Sequence, residues 1–516
     1  MKLNLWRGTL AALVVALMAT AVAQEFPYDQ QQDMEGQPDT IIVMGSSDFD
    51  PSTPAGAYLQ EVARLYMEQN PHITVQMDYG SWGDLWQKVG VMLGNREGPD
   101  LLVGPRDYLM ANGRGGGQWE DIVTVPEDLF VSEISRQAMG PTLLEASRFP
   151  GREGYMVWPW TVYLDGTMVV NGNMLREVGY DPVDIQANGW TMEEFTDVAQ
   201  LVTDGDTYAA FFGPMGGHNG ERIFLTGLMS HQLPYRLQAH GGQPTLVDID
   251  TGELFFDDEG FMASCQAIGQ FLDEGWIPED TVGISMDESR DAFITGQTAF
   301  SFDGPDLLNL VEQRNRNIAN GTEQGEPIDA YVVPRPHIAG DGYQPIPITA
   351  LSYGYYSFKQ EPYKGDYHTR NVFDFARFLT DPVFQIRKAA DSSIPPDERV
   401  YRGEQSWFPG IMGTGDNARY LESVRDVWQP SMGIYLTMAT TPELQNALAA
   451  FRTEVYNTTR EEIFLGRISC EDALARITSE LERVGEQVPL EQRLTAEAPA
   501  IAEDMAAFAR EIGQPE

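Results

Sequence analysis

Apolar and polar positions follow two periods along this chain. Thr40-Ile41-Ile42-Val43-Met44 is a short apolar run ending in Gly45-Ser46-Ser47, the pattern of a buried strand. Leu59, Val62, Ala63 and Tyr66 then recur at helical spacing until Asn70-Pro71, a helix stop. Ile73, Val75, Met77 and Tyr79 alternate as a second strand. Leu85, Val89 and Met92 form another helical face, closed at Gly94, and Leu101-Leu102-Val103 makes a third strand. Strand, helix, strand, helix, strand at this spacing predicts a parallel sheet with helices packed on its faces.

That topology points to where a ligand would sit. Open α/β sheets bind beyond the carboxyl ends of their strands, where the loops gather. The three loops here are Ser46-Ser47-Asp48, Gly80-Ser81-Trp82 and Gly104-Pro105-Arg106-Asp107. Ser47, Trp82 and Asp107 are therefore candidate contacts.

A second α/β region starts near Pro159. Met168-Val169-Val170 reads as a strand, and Thr191 with Glu194 as a capping box before Phe195, Val198 and Val202. A strand is expected at 209–212, ending in the loop Gly213-Pro214-Met215-Gly216-Gly217. Helices follow at 261–272 and 290–294, short strands at 331–333 and 353–358, and helices at 372–379, 444–456 and 470–484. The last stretch, 490–516, reads as an Ala- and Glu-rich amphipathic helix without a chemical motif.

The N-terminus changes the address. Lys2 and Arg7, an apolar run at 10–18 and the small-x-small site Ala21-Val22-Ala23 read as a secretory signal cleaved near Ala23. The run is short for a membrane span, and no cysteine follows the site to carry a lipid. The expectation is a soluble periplasmic or extracellular protein, with 24–38 as a flexible leader rich in Gln, Asp, Pro and Gly. Residues 24–516 suffice for two or three domains. Removing 1–23 takes away two positive charges and no negative ones, moving the formal charge from −43 to −45. Such acidity, spread along the chain, repels nucleic acid and anionic headgroups and excludes a nucleic-acid partner.

Only Cys265 and Cys470 occur. An oxidising compartment permits a disulfide between them, but they lie far apart in helical stretches, so two separately buried thiols are the default. Six scattered histidines without HExxH or CxxC give no metal-ligand spacing, and no cofactor is implied.

Several short motifs occur in a telling order. Gly98-Pro99-Asp100 precedes Leu101-Leu102-Val103, and Pro159 is followed a dozen residues on by Asn171. Then come Trp190-Thr191-Met192-Glu193-Glu194-Phe195, Phe293-Ile294-Thr295-Gly296-Gln297-Thr298-Ala299 and Asp303-Gly304-Pro305. Phe375, Phe378-Leu379, Gln385 and Ile394-Pro395 close the series. In this order, from about 40 to 485, the chain resembles the extracellular solute-binding proteins of sugar-type ABC importers, the family of maltose-binding protein. It departs from them at Val170, where the family usually has Tyr, and at Asp306, where maltose-type members place a sugar-stacking tryptophan.

The resemblance implies a two-lobed α/β periplasmic-binding-protein fold with three hinge crossings, near 158–162, 336–342 and 394–400. The first lobe would be 38–158 plus 340–395 and the second 160–336 plus 398–485, with 486–516 a C-terminal helical extension. A ligand cleft would lie between lobes that close as a hinge. It further implies a monomeric receptor that captures a small carbohydrate or related polyol and delivers it to the permease subunits of an ABC importer.

A sugar offers hydroxyls at its rim and a nonpolar C–H face, so its site needs acceptors, amides and flat rings. Asp107 stands where the resemblance places a sugar-binding Asp; the alternative is a capping carboxylate. Trp82 would stack on a sugar or fill the core. From the second lobe the candidates are Trp160, Tyr163, Asp165, Met215, His218, Asn219, Asp303 and Asp306. Tyr353 and Tyr355 would line the first-lobe wall or fill its core. The cleft loops carry no basic cluster, which disfavours an anionic ligand there. No GxSxG, HExxH or other catalytic signature appears, so no catalytic residue is assigned. The rivals are a secreted carbohydrate-active hydrolase and a sensor-coupled binding protein without an importer.

Overall fold

The fold is taken from a computed structural model of the chain. It describes residues 36–105, 122–133, 135–136, 144, 147–148, 154–165, 167–211, 237–239, 246–303, 307–338, 348–360, 363–381, 439–496 and 498–511.

The first five elements alternate as the periodicity predicts. They are β1 (Asp39–Ser46), α1 (Pro54–Gln69), β2 (Ile73–Gly80), α2 (Trp82–Gly94) and β3 (Leu101–Pro105). Thr53 caps α1 by accepting from the Gly56 amide, with Pro54 at the first helical position. The stripe Leu59, Val62, Ala63 and Tyr66 is buried. β1 pairs in parallel with both β2 and β3.

Two later strands complete this sheet: β4 (Trp158–Asp165) and, after several intervening elements, β11 (Ile348–Tyr356), giving the order β2-β1-β3-β11-β4. β11 runs antiparallel to both β3 and β4. Ile41, Val43, Leu101, Leu102, Val103, Trp158 and Tyr355 meet in one core, with Phe375 and Leu379 from α7 (Asp366–Leu379) over one face.

A second core lies around β5 (Thr167–Asn171), which pairs antiparallel with β9 (Phe300–Ser301) and β10 (Ala330–Pro334). Between β5 and β9 in the chain, β6 (Leu237–Ala239), β7 (Leu246–Asp248) and β8 (Leu254–Phe255) form a small antiparallel sheet. Every residue of β5 is buried, and the period of two sorts them between its faces. Met168 and Val170 join a large cluster with α3 (Met192–Val202), α4 (Asp258–Asp273) and α10 (Cys470–Gln487). Val169 faces a smaller cluster with Phe293 of α5 (Met286–Ile294) and with Leu307, Leu308 and Val311 of α6 (Leu307–Ala319). The capping box is present: Thr191 and Glu194 bond each other's backbone amides.

The structure corrects the sequence reading at four places. β4 stays in the first sheet through Asp165, and β5 from Thr167 is already in the second, so the chain crosses between 165 and 167 rather than at 158–162. Pro159 suggested a break, but β4 is an edge strand, where proline is tolerated. Of the strand expected at 209–212, the described residues 209–211 form no strand; a single bridge joins the preceding Tyr208 to Thr298, with Ala209 bonded to Phe300 and Trp276.

Cys265 and Cys470 form a disulfide, Cα to Cα 5.8 Å, across 205 residues of sequence. α4 and α10 pack in the same core, which brings the two helical positions within bonding reach. Finally, 486–511 is not a separate extension. Val488, Ala498, Ile501 and Ala502, the last three on α11 (Ala498–Glu511), are part of the second core. The Arg493 guanidinium donates to the carbonyls of Val488, Gly485 and Gly252 at 2.8–3.0 Å. The helix expected at 444–456 is α8 (Pro442–Ala450), continued by a π turn (Phe451–Tyr456) into α9 (Asn457–Phe464).

Candidate functional site

Strand register assembles the candidate site at one edge of the first sheet. Ser46 lies opposite Gly80, and Met44 opposite Leu102, so β1, β2 and β3 end together. Tyr353 of β11 lies opposite Pro105 on one side and Thr161 on the other. Beyond that level, among the described residues, β4 and β11 continue, with Tyr163 opposite Ala350 and Asp165 opposite Ile348. This two-stranded ribbon leads into β5 and thus into the second lobe.

The edge holds several of the sequence-predicted residues. Ser47 opens a short turn (Ser47–Phe49) directly after β1. Trp82 is the first residue of α2 rather than a loop residue, because Ser81 caps the helix by accepting from the Asp84 amide at 3.2 Å. The backbone positions of Trp160, Tyr163 and Asp165 are on β4 and that of Tyr353 on β11, where the ribbon passes the edge. Asp107, Met215, His218, Asn219 and Asp306 lie outside the described residues.

Two candidates face inward instead. Tyr355 is fully buried in the first core, opposite Val103. Burial, with Tyr58 and Tyr79 nearby, pushes its hydroxyl well above the usual phenol range. Of the two options for this residue, core filling is the one realised. Asp303 is 2 % exposed and paired with the Arg290 guanidinium, also buried. An unpaired carboxylate is costly in such a place, and the ion pair commits this one to holding β9 against α5.

The sequence reading missed the partners across the cleft. Ser47 Oγ donates to Asp287 Oδ1 at 3.5 Å, and Gln313 Nε2 donates to the Ser52 carbonyl at 3.4 Å. Met286, at the start of α5, is 4 % exposed and packs with the first core although its helix belongs to the second lobe. Ser285 and Glu288 form a capping box that fixes this helix start. The Ser-x-x-Glu spacing was the available signal. On the other side, a Cβ on Gly56 would meet the Asp50 carbonyl oxygen at 1.9 Å. Glycine there lets α1 press the 47–53 turn against the sheet edge.

The site thus has one wall at the carboxyl ends of β1–β3, another at the start of α5, and a two-stranded ribbon behind. The model of the bacterial extracellular solute-binding protein family matches residues 50–386. The chain belongs to that family. Solved structures agree on the fold at low identity. An ABC transporter solute-binding protein of Thermotoga lettingae, bound with alpha-D-tagatose, is 14% identical with a TM-score of 0.59, over 87% of this chain and 99% of that one. The GacH receptor of Streptomyces glaucescens, studied unliganded and with acarbose, is 14% identical with a TM-score of 0.58, over 87% and 98%. Maltose-bound MalE3 of T. maritima is 16% identical with a TM-score of 0.58, over 86% and 99%. The solute-binding protein therefore has their two-lobed α/β architecture. Among the described residues no helix is long and apolar enough to cross a membrane, and no group of three or more His, Cys, Asp or Glu is placed to hold a metal.

Proposed function

We propose that this solute-binding protein captures a small carbohydrate or related polyol between its lobes and hands it to the permease subunits of an ABC-type importer. The carrying observation is the convergence of β1, β2 and β3 at one edge facing α5, in a chain of this family. Relatives of the same fold were solved with tagatose, acarbose and maltose, which favours a sugar as the solute.

In this reading Ser47, Trp82, Asp107 and Tyr353 supply the first-lobe contacts. Trp160, Tyr163, Asp165, Met215, His218, Asn219 and Asp306 supply the ribbon and second-lobe contacts. Trp82 would cover the nonpolar face of a sugar ring, and Asp107 would accept from its hydroxyls. The protein acts as a monomer, outside the cytoplasm, after cleavage near Ala23. It binds without catalysis and returns its ligand unchanged.

The test is a thermal-shift screen over monosaccharides, oligosaccharides and polyols, with reducing ends assayed after incubation. Ligand that binds only the native state raises the melting temperature by mass action. Selective stabilisation by a sugar, with no new reducing ends, is the expected result. New reducing ends would indicate a hydrolase, and stabilisation by no member of the panel would remove carbohydrate as the solute class.

A further inference from the structure

The end of the first sheet opposite the cleft holds a cavity of about 670 Å³. It lies where β3 begins and β11 ends, since Leu102 is opposite Tyr356 and the cavity is lined by Asp100 and Phe358. Leu101 at the start of β3 lies opposite Val43, three residues before the end of β1 at Ser46, so this end is roughly 10–15 Å from the cleft edge.

Its chemistry is unlike the rest of the chain. The sequence has five lysines, Lys2, Lys88, Lys359, Lys364 and Lys388, on a formal charge of −43. Lys359 and Lys364 both line this cavity, with Arg96 and His368. Asp100 is the acidic residue among the lining ones, and it accepts from His368, Lys364, Gln360 and the Ile42 amide. Asp39, bonded to His368, and Asp366, bonded by the Tyr363 hydroxyl, are further acidic groups in contact with lining residues.

Two backbone features add to the positive character. The amino end of α7 contributes His368 and Thr369 to the lining, and a helix amino terminus carries a partial positive charge. Arg96 has φ 56°, in the left-handed region usually filled by Gly or Asn after a helix, and it ends α2 with its amide bonded to the Leu93 carbonyl. A long cationic side chain stands there instead. Phe358, Val372 and Phe373 give the cavity an apolar floor.

We propose that this cavity is a second binding site that takes a small organic anion. The anion's carboxylate or phosphate meets Arg96, Lys359 and Lys364, and its apolar part rests on Phe358, Val372 and Phe373. The site is separate from the sugar cleft and stands whether or not the cleft reading holds.

Isothermal titration of the full mature chain with phenyl phosphate, benzoate, inorganic phosphate and phenol tests this. Saturable binding of phenyl phosphate or benzoate, tighter than that of phenol or inorganic phosphate, is expected. The tighter of the two assigns phosphate or carboxylate as the anionic group. Raising salt from about 20 to about 200 mM should weaken binding, as screening requires. Lys359→Gln and Arg96→Gly should each weaken it by about tenfold, the worth of roughly one charged hydrogen bond. Glycine accepts the positive φ at 96, so Arg96→Gly keeps its melting temperature, and the loss then reports on the guanidinium. Equal binding of phenol, no saturable heat from either anion, or unchanged affinity in both Lys359→Gln and Arg96→Gly would overturn the proposal.

Discussion

Ser47 of the first lobe and Asp287 of the second are joined by a hydrogen bond of 3.5 Å across the cleft. Beside it, Met286 sits in the first-lobe core. These contacts bridge two bodies that the family fold allows to hinge. Ligand affinity in such a system includes the free-energy difference between separated and closed lobes. Met286→Ala should therefore weaken ligand affinity several-fold while the ligand's own contacts remain. Titration of wild type and variant with the same sugar checks this; equal affinities would make the Met286 contact irrelevant to closure.

His368 links Asp39 and Asp100, through Nδ1 at 2.8 Å and Nε2 at 2.9 Å. Burial pulls its pKa down, but the hydrogen bonds and charges of Asp100 and Asp39 outweigh that and push it up to about 9. Burial would raise the Asp100 carboxyl, yet bonds from His368, Lys364 and the Ile42 amide hold it at about 2. A raised histidine stabilises fully below its unfolded value of 6.5, and the contribution fades as pH rises through 9. A depressed aspartate stabilises above 3.8, and its contribution fades as pH falls through 2. The cluster is therefore strongest between 3.8 and 6.5. His368→Ala should cost about 3–5 kcal/mol in that window, because Asp39 loses its cation and buried Asp100, among the described residues, keeps only Lys364. Denaturant titrations should show the gap to wild type narrowing toward pH 9; a gap independent of pH would contradict the charged imidazole.

The Cys265–Cys470 disulfide ties α4 to α10. Cross-links that close long loops remove unfolded-state entropy, and loss of a native one typically costs about 2–5 kcal/mol. The double variant Cys265→Ser with Cys470→Ser should fold but melt several degrees lower. A melting temperature insensitive to both reductant and the double substitution would contradict the bond.

What the residues revealed in advance, and what they did not, follows from range. β1, α1, β2, α2 and β3 could be read because each has its own period, as in Leu59-Val62-Ala63-Tyr66, and short connections force a parallel sheet. The capping boxes at Thr191 and Ser285 are equally local signals. Contacts set by distant packing were not legible. Nothing near Cys265 indicates that α10 will lie beside it. Nothing in the 490–511 pattern tells a docked helix from a projecting one until Ala498, Ile501 and Ala502 are seen in the core. Asp303 and Tyr355 looked like site residues because both sit among glycines and strand ends. The buried partner Arg290 and the neighbour Val103 decide otherwise.

The proposal assigns the main sugar contacts to Trp82 and Asp107, and their alanine variants separate its two readings. A charged hydrogen bond to a sugar hydroxyl is worth about 1.5–3 kcal/mol. Asp107→Ala should accordingly lose about ten- to hundredfold in affinity without loss of stability. Trp82→Ala should show a similar loss, since it removes a large buried surface from the sugar face. If Trp82 fills the core, the same change would instead lower stability by about 3–5 kcal/mol. Affinity and melting temperature measured on both variants distinguish these outcomes.

Small-angle scattering of the mature protein, with and without a saturating sugar found by the thermal-shift screen, tests the receptor reading most directly. Two lobes closing on a ligand must reduce the radius of gyration, with an affinity in the micromolar range or tighter, about −8 kcal/mol or more favourable. A smaller radius in the presence of that sugar, and not with a non-binding one, is the predicted result. Tight binding with an unchanged radius would contradict a cleft that closes on its solute.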